Sequence, residues 1–327
     1  MKHRQHLPFG NVFMHSLISR NLKLPSSNNT LQNFVDYIYL SQVNQAVAQR
    51  IQTEFYRQAR SDLNSIGEGM TMGALYWQLN DVWQAPSWSS IDISGRWKML
   101  QYYAADFFAP VIVTSHLSQV NDLSVFVVSD LLYSIPSCTV EVSVFRWNRT
   151  TPIHVKQLTN IELESNTAKL VDKFWLDKFL EQLGCGSLKN AKEHCIITLT
   201  LKNAEGSLIA PTNYVYPAKL KSIDLPLANI TMRVEELQIP GKYENYPDFS
   251  IELTSDNISL FVWLETGAIR GRFSENGFHM FDSTKRIIFH TKEVTTPAAL
   301  RESIQITTLS DIDNVNRKSF PKDILAQ

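Results

Sequence analysis

Gly69-Met70-Thr71-Met72-Gly73-Ala74-Leu75-Tyr76-Trp77-Gln78-Leu79-Asn80-Asp81-Val82-Trp83 decides how the first third of this chain is read. Pro86-Ser87-Trp88-Ser89-Ser90-Ile91-Asp92 and Gly95-Arg96-Trp97-Lys98 follow it. The nearly continuous apolar run from Met70 to Leu79 reads as a strand buried on both faces, as in a parallel sheet or barrel covered by helices. Four of the seven tryptophans fall between Trp77 and Trp97. Aromatic rings at the carboxyl end of such a strand suit a cleft that meets the apolar C–H faces of a sugar.

Upstream, residues 31–63 read as one long helix. Phe34, Ile38, Val43, Val47, Ile51 and Phe55 trace an apolar stripe at helical spacing. Ser26-Ser27-Asn28-Asn29 offers caps before it, and Asn64-Ser65-Ile66-Gly67 ends it. Downstream, Trp97 to Phe108 predicts a second helix with Trp97, Leu100, Tyr103, Ala104 and Phe107 on one face. Ala109-Pro110 stops it, because proline cannot continue a helix. Helix, buried strand, loop and helix make a portion of a (β/α)8 barrel. A whole barrel takes about 250 residues, so residues 1–110 read as part of one.

From Val111 the period changes to two. Val140, Val142 and Val144 alternate with Thr139, Glu141 and Ser143, and Ile197, Leu199 and Leu201 alternate with Thr198, Thr200 and Lys202. Short strands separated by turn-rich segments predict an antiparallel sandwich. Trp175 to Leu183 breaks the pattern and reads as a short helical insert. A second β-domain starts near Ser222, with strands at Thr231–Gln238, Phe249–Leu253, Ser259–Leu264, Arg286–His290 and Ser303–Thr307. The fold class is therefore multidomain, an α/β portion followed by all-β domains, divided at 1–110, 111–221 and 222–327.

A net charge of −1 gives no electrostatic reason for nucleic acid or an anionic membrane as partner. No apolar run reaches the length of a membrane span. Met1 to His6 is charged without an apolar core behind it, so it does not read as a signal peptide. Sequons at Asn28, Asn148, Asn229 and Asn257 nonetheless favour a secretory route. Cys185 and Cys195 flank a polar loop and suit a disulfide in an oxidising lumen, leaving Cys138 over; the alternative is three free thiols. No Cys/His spacing forms a zinc site, and His3 and His6 lack a second pair. There is no glycine-rich phosphate loop and no Gly-x-Ser-x-Gly elbow, so no metal or cofactor is expected.

The Trp77 segment resembles the end of the catalytic barrel of the β-mannosidases of glycoside hydrolase family 2, the eukaryotic lysosomal kind. His3-Arg4-Gln5-His6 with Gly10-Asn11 resembles the stretch after that family's nucleophile strand. Phe261-Val262-Trp263-Leu264 and Gly271-Arg272-Phe273-Ser274-Glu275-Asn276-Gly277-Phe278 resemble its last β-domain. The resemblance implies the carboxyl-terminal portion of the barrel followed by two immunoglobulin-like β-sandwiches. It implies a retaining exo-β-mannosidase that removes terminal non-reducing β-D-mannose from oligosaccharides in N-glycan catabolism, and a lysosomal location. The partner so implied is a β-mannoside oligosaccharide, bound through the complete enzyme.

On that resemblance Trp77 forms a wall for the sugar ring, with Trp83 and Asn80 as further substrate contacts. Trp88 packs the loop or lines the outer cleft, and Trp97 reads as helix core. Asn80 and Asp81 either bind a hydroxyl or hold the loop backbone. Arg96 and Lys98 read as a solvated helix start. Retaining glycosidases need two carboxyls about 5–5.5 Å apart. The family places both on barrel strands upstream of this sequence, and neither of its glutamate signatures occurs here. Glu54 on the helix and Glu68 in a loop have the wrong context, and Asp81 with Asp92 is not taken as a pair. No catalytic residue is therefore expected in this chain, which should be inactive alone. The rival reading is a non-catalytic β-sandwich module that binds a glycan or a protein partner.

Overall fold

A computed structural model describes residues 10–26, 30–84, 87–238, 241–243, 246–312 and 314. The chain falls into two compact units. One comprises Ala46–Trp77 and Tyr103–Asp224; the other comprises Met1–Gln45, Gln78–Tyr102 and Leu225–Gln327. Three helices supply the first third: α1 (Gly10–Asn21), α2 (Thr30–Gln58) and α3 (Met99–Phe107). Among the described residues no helix is long and apolar enough to cross a membrane.

The unit built on residues 103–224 is a β-sandwich. Its strands are β1 (Val111–Leu117), β2 (Asp122–Ser129), β3 (Ile135–Arg146), β4 (His154–Leu163), β5 (Ala168–Trp175), β6 (Cys195–Lys202) and β7 (Asn213–Val215). One sheet runs β1-β2-β5 and the other β4-β3-β6-β7, every neighbour antiparallel. The alternation seen in the sequence sets the core. Val140, Val142 and Val144 pair with Leu201, Leu199 and Ile197, and all six are fully buried against Val113, Leu123, Val125 and Val127 of the facing sheet. The intervening Glu141 points outward and accepts from Lys202 and Gln157. The Lys202 hydrogen bond leads in holding its carboxyl below the usual range, against a smaller opposing effect of burial. The insert after β5 is a helix, α4 (Leu176–Gln182), and a short helix α5 (Ala191–His194) precedes β6. Cys185 and Cys195 are bonded across this loop, while Cys138 is a free, buried thiol.

The second half of α2 lies in this same unit and faces opposite to the sequence reading. Ile51 and Phe55, taken as core-facing, are about half exposed. Ala46, Arg50, Thr53, Glu54 and Gln58 are buried instead. Hydropathy points the wrong way because each of the longer polar side chains finds a partner. The Glu54 carboxylate accepts from Thr114 Oγ1 at 2.8 Å and from Asn213 Nδ2 at 2.9 Å, and Arg50 lies 3.5 Å away. Gln58 donates to Thr114 and to the Ser115 carbonyl. Arg57 donates to the carbonyls of Phe107 and Ala109 at the end of α3 and pairs with Asp130. Buried polar groups with this many partners are tolerated where bare ones are not.

The other unit contains the second sandwich. Its strands are β8 (Ile230–Glu236), β9 (Asp248–Ser255), β10 (Ser259–Glu265), β11 (Gly271–Phe273), β12 (Phe278–Met280), β13 (Thr284–Thr291) and β14 (Gln305–Thr307). Helix α6 (Pro297–Ser303), N-capped by Thr296, occupies the start of what the sequence suggests is a strand from Ser303. The sheets run β11-β13-β9-β8 and β12-β10-β14. Phe249, Ile251, Leu253, Leu260, Val262, Ile287 and Phe289 are buried. Strand β10 is irregular: its register slips between Ser259 and Val262, and Phe261 takes a left-handed φ of 53°. That conformation disfavours a bulky residue. Side chains hold it in place: the Phe261 amide donates to His279 Nδ1 at 2.9 Å, and its carbonyl accepts from the hydroxyl of Tyr39 in α2 at 2.7 Å. Asn276 supplies the strand pairing β10 lacks, accepting from the Leu264 amide at 2.8 Å and donating to the Leu264 carbonyl at 2.9 Å. In the first half of α2, Tyr39, Leu40 and Val43 are buried, whereas Phe34 and Ile38 are partly exposed.

Residues 70–79 do not form the buried strand that their composition suggests. They pair with no strand among the described residues, and Met72, Leu75 and Trp77 are 95%, 102% and 73% exposed. A parallel strand is buried by sheet neighbours at its edges and helices on its faces; these residues have no sheet neighbour.

Asn276→Ala leaves a buried amide and a buried carbonyl of Leu264 without partners. It should destabilise the chain by about 2 kcal/mol or more, read as a lowered denaturant midpoint, whereas exposed Leu227→Ala should change it little.

Candidate functional site

The aromatic segment is organised around residues 78–98. Asn80 bridges in parallel to Ile91, which bridges in turn to Trp97. Backbone hydrogen bonds from Ser90 and Ile91 to the carbonyls of Gln78 and Leu79, from Asp81 to Ile91, and from Lys98 to Ser90 close the loop on itself. Asp81 lies at its centre, 7% exposed. Its carboxylate accepts from Ser87 Oγ and from Lys98 Nζ, the latter at 3.0 Å, and Lys98 also donates to Ser89 Oγ at 2.7 Å. Burial pushes the Asp81 carboxyl up, but hydrogen bonds from Ser87, Ser89 and Lys98 together with the Lys98 charge bring it below the usual aspartate range. Asp92 is a turn former: one carboxylate oxygen accepts from the amides of Ser94 and Arg96 and from Ser94 Oγ.

Of the two roles open to Asp81, the structure shows the loop-holding one. Lys98, read as a solvated helix start, is instead its ion-pair partner. Ser87, Ser89 and Ser90, which sequence reasoning passed over, complete the scaffold; Ser89 and Ser90 are fully buried. The signal was a Ser-Trp-Ser-Ser run in an otherwise apolar context, which needs hydrogen-bond partners to be buried.

Asn80, Trp83 and Trp88 are among the exposed residues of this loop, with Leu79, Val82 and Ile93. Asn80 Nδ2 donates to the Asp81 carbonyl at 3.1 Å. The Trp88 carbonyl accepts from Gln45 at 2.9 Å, which anchors its backbone while the side chain is 68% exposed. Trp97 is packed. Its ring lies edge-on to Tyr102, centroids 5.1 Å apart, and the Arg272 guanidinium sits 4.2 Å from its centroid. Tyr102 in turn meets Trp263 edge-on at 5.9 Å. Burial lifts the Tyr102 hydroxyl well above the usual tyrosine range. Trp77 belongs to the other unit and is exposed.

Among the remaining sequence candidates, Asn148 and Asn229 are exposed, and Asn257 is half-buried with Nδ2 donating to the Leu227 carbonyl at 2.9 Å. Asn28 and the His3-Arg4-Gln5-His6 stretch lie outside the described residues. Glu54 is enclosed by the partners described above, and Glu68 accepts from Asn64 in an exposed loop.

Residues 121–222 match the family model described as a mannosidase Ig/CBM-like domain, and residues 225–312 match the mannosidase Ig-fold domain. Over 310 residues the chain is 35% identical to the β-mannosidase of Bos taurus, covering 94% of this chain and 33% of that protein. The β-mannosidase of Capra hircus is 37% identical over the same shares. The chain is a relative of the β-mannosidases. It spans about a third of the length of the curated relatives it matches. The β-D-mannosidase structure from Dictyoglomus thermophilum has the same fold over 92% of this chain and 32% of that one, with a TM-score of 0.71 at 21% identity. The two antiparallel sandwiches described above are thus mannosidase Ig-type domains.

The depressed Asp81 carboxyl sets a pH dependence in this β-mannosidase relative. A group with a lower pKa folded than unfolded contributes stability above its unfolded value and loses it as pH falls through the folded one. Amide hydrogen-exchange protection factors at Asp81 and Ile91 should be high and flat above the ordinary aspartate range and fall in more acid solution. Asp81→Asn should lower those protection factors at neutral pH and remove most of the acid step.

Proposed function

We propose that this chain is the carboxyl-terminal part of a retaining exo-β-mannosidase that removes terminal non-reducing β-D-mannose from oligosaccharides in N-glycan catabolism. The observation that carries the reading is the relation to β-mannosidases along 94% of the chain. In this reading residues 1–110 complete a (β/α)8 barrel, and residues 111–221 and 222–327 are the two sandwich domains. Trp77 is a ring-stacking wall of the sugar subsite, with Trp83 and Asn80 beside the substrate. The exposure of Met72, Leu75 and Trp77 supports it, since such a segment is apolar for the sake of neighbours it does not have here.

The chain supplies binding surface and no chemistry. Retention needs a nucleophile and an acid/base carboxyl about 5–5.5 Å apart. Asp81 and Asp92 are committed to loop hydrogen bonds and Glu54 to Thr114 and Asn213, so none is free for either role. The two catalytic carboxylates are assigned to an upstream barrel segment, and the location to the lysosome by the secretory route.

Purified chain should release no product from a chromogenic β-mannoside. Co-expression with the upstream barrel segment of the same gene should restore release, and Trp77→Ala should then lower kcat/KM by about tenfold or more, the effect of removing a face worth about 1–2 kcal/mol. Hydrolysis by the chain alone overturns the assignment of the carboxylates. For chain made through the secretory route, glycopeptide mass spectrometry should find Asn148 and Asn229 carrying glycan. Asn257 should be occupied less, because its Nδ2 is held by Leu227.

A second reading, a glycan-binding β-sandwich module without catalysis, is favoured by one observation: the outward face of the β1-β2-β5 sheet carries an exposed tryptophan.

A further inference from the structure

We propose that the end of the outward face of the β1-β2-β5 sheet that α2 leaves open binds an uncharged oligosaccharide, with Trp175 as the ring platform. The inference rests on the reading of this chain as part of a glycan-processing protein, and it places a second sugar site away from the Trp77 segment.

The ladder fixes which side chains share this face. Trp175 pairs with Asp122, and Lys173 with Ser124, which pairs with His116 on β1. Residues directly opposite in a ladder point to the same side of the sheet, and alternate residues of a strand do too. The intervening Leu123 and Phe174 point into the core, Leu123 fully buried. So Trp175, Lys173, Asp122, Ser124 and His116 form one outward patch. Trp175 is 50% exposed. At the far edge the His116 ring packs against Phe55 of α2, centroids 5.2 Å apart.

The chemistry of the patch selects its ligand. A half-exposed indole offers a flat apolar face with a polar edge, which suits a pyranose ring whose C–H groups line one side and whose hydroxyls rim it. The charges on the face cancel: Lys173 Nζ lies 3.0 Å from Asp122 Oδ2. With its cation already paired, the surface offers no net attraction to a phosphate backbone or an anionic membrane. It keeps hydrogen-bonding groups of both kinds, the ammonium and hydroxyl as donors and the carboxylate as acceptor, which is what a hydroxyl-rich neutral chain requires. Two inter-strand spacings, about 10 Å, separate β1 from β5. A short oligosaccharide laid across the strands therefore reaches from Trp175 toward the His116 ring.

The test is calorimetric titration of the full chain with β-1,4-linked mannotetraose. Saturable binding in the millimolar range or tighter is expected. Trp175→Ala should weaken it by about tenfold, or 1.4 kcal/mol, while the chain still unfolds cooperatively well above the titration temperature. Leu227→Ala, an exposed position in the other unit, should bind as the parent does. Absence of binding, or equal affinity of Trp175→Ala and the parent, overturns the inference. Loss on Trp77→Ala with retention on Trp175→Ala also overturns it while leaving the proposed substrate subsite standing. A chain that self-associates, with Trp175→Ala dissolving the dimer and no sugar bound, makes the face a protein contact and overturns it as well.

Discussion

The sandwich on residues 103–224 depends on the buried carboxylate of Glu54. A charge in that position is tenable only if every lone pair finds a donor. Thr114 from β1 and Asn213 from β7 each donate to one oxygen, and Arg50, one helical turn away, supplies the counter-charge. Burial works against the Arg50 charge, and Glu54 with the surrounding tyrosines more than offsets it. Arg50 also donates to the Tyr214 carbonyl at 2.8 Å. The helix is thereby pinned at once to the first strand of one sheet and the last strand of the other. Removing one partner of such a group typically costs about 3–5 kcal/mol, far more than an exposed pair contributes. A seam made this way has one register, because an apolar seam can slide by a turn and this one cannot without stranding the carboxylate.

That seam also explains where sequence reading failed. Helix α2 was legible as a helix from end to end, yet its buried face in this unit was not. Spacing of apolar residues points Ile51 and Phe55 inward, but the partners of Arg50, Glu54 and Gln58 lie between about fifty and a hundred and sixty residues away in the sequence. No local pattern reports them. The strands were legible for the opposite reason. Val140–Val144 and Ile197–Leu201 carry their own two-residue period, and the period is the register. The irregular strand β10 lies between these cases. Its apolar composition is plain in Phe261-Val262-Trp263-Leu264, but the slip at Phe261 and its rescue by His279 and Tyr39 depend on contacts that the string of letters does not contain.

The candidate site divides along the same line. Its tryptophans stood out, because four large rings in so short a span need an explanation. The polar scaffold beneath them did not, since serine, aspartate and lysine in a loop ordinarily face water. Here Ser89 and Ser90 are fully buried and Asp81 nearly so, beneath a Trp88 side chain that is 68% exposed.

Residues 70–79 bring the two themes together. Their apolar side chains would suit a core, and an exposed contiguous apolar patch is rare on a soluble protein unless something covers it. In the two sandwiches the inward rows are saturated, with Val142, Leu199, Phe249 and Phe289 at zero exposure. In the reading proposed above, a further surface lies against this aromatic segment. This asymmetry favours the reading of the segment as part of a larger barrel over that of a free-standing module, because a module would have no reason to carry Met72, Leu75 and Trp77 bare to solvent.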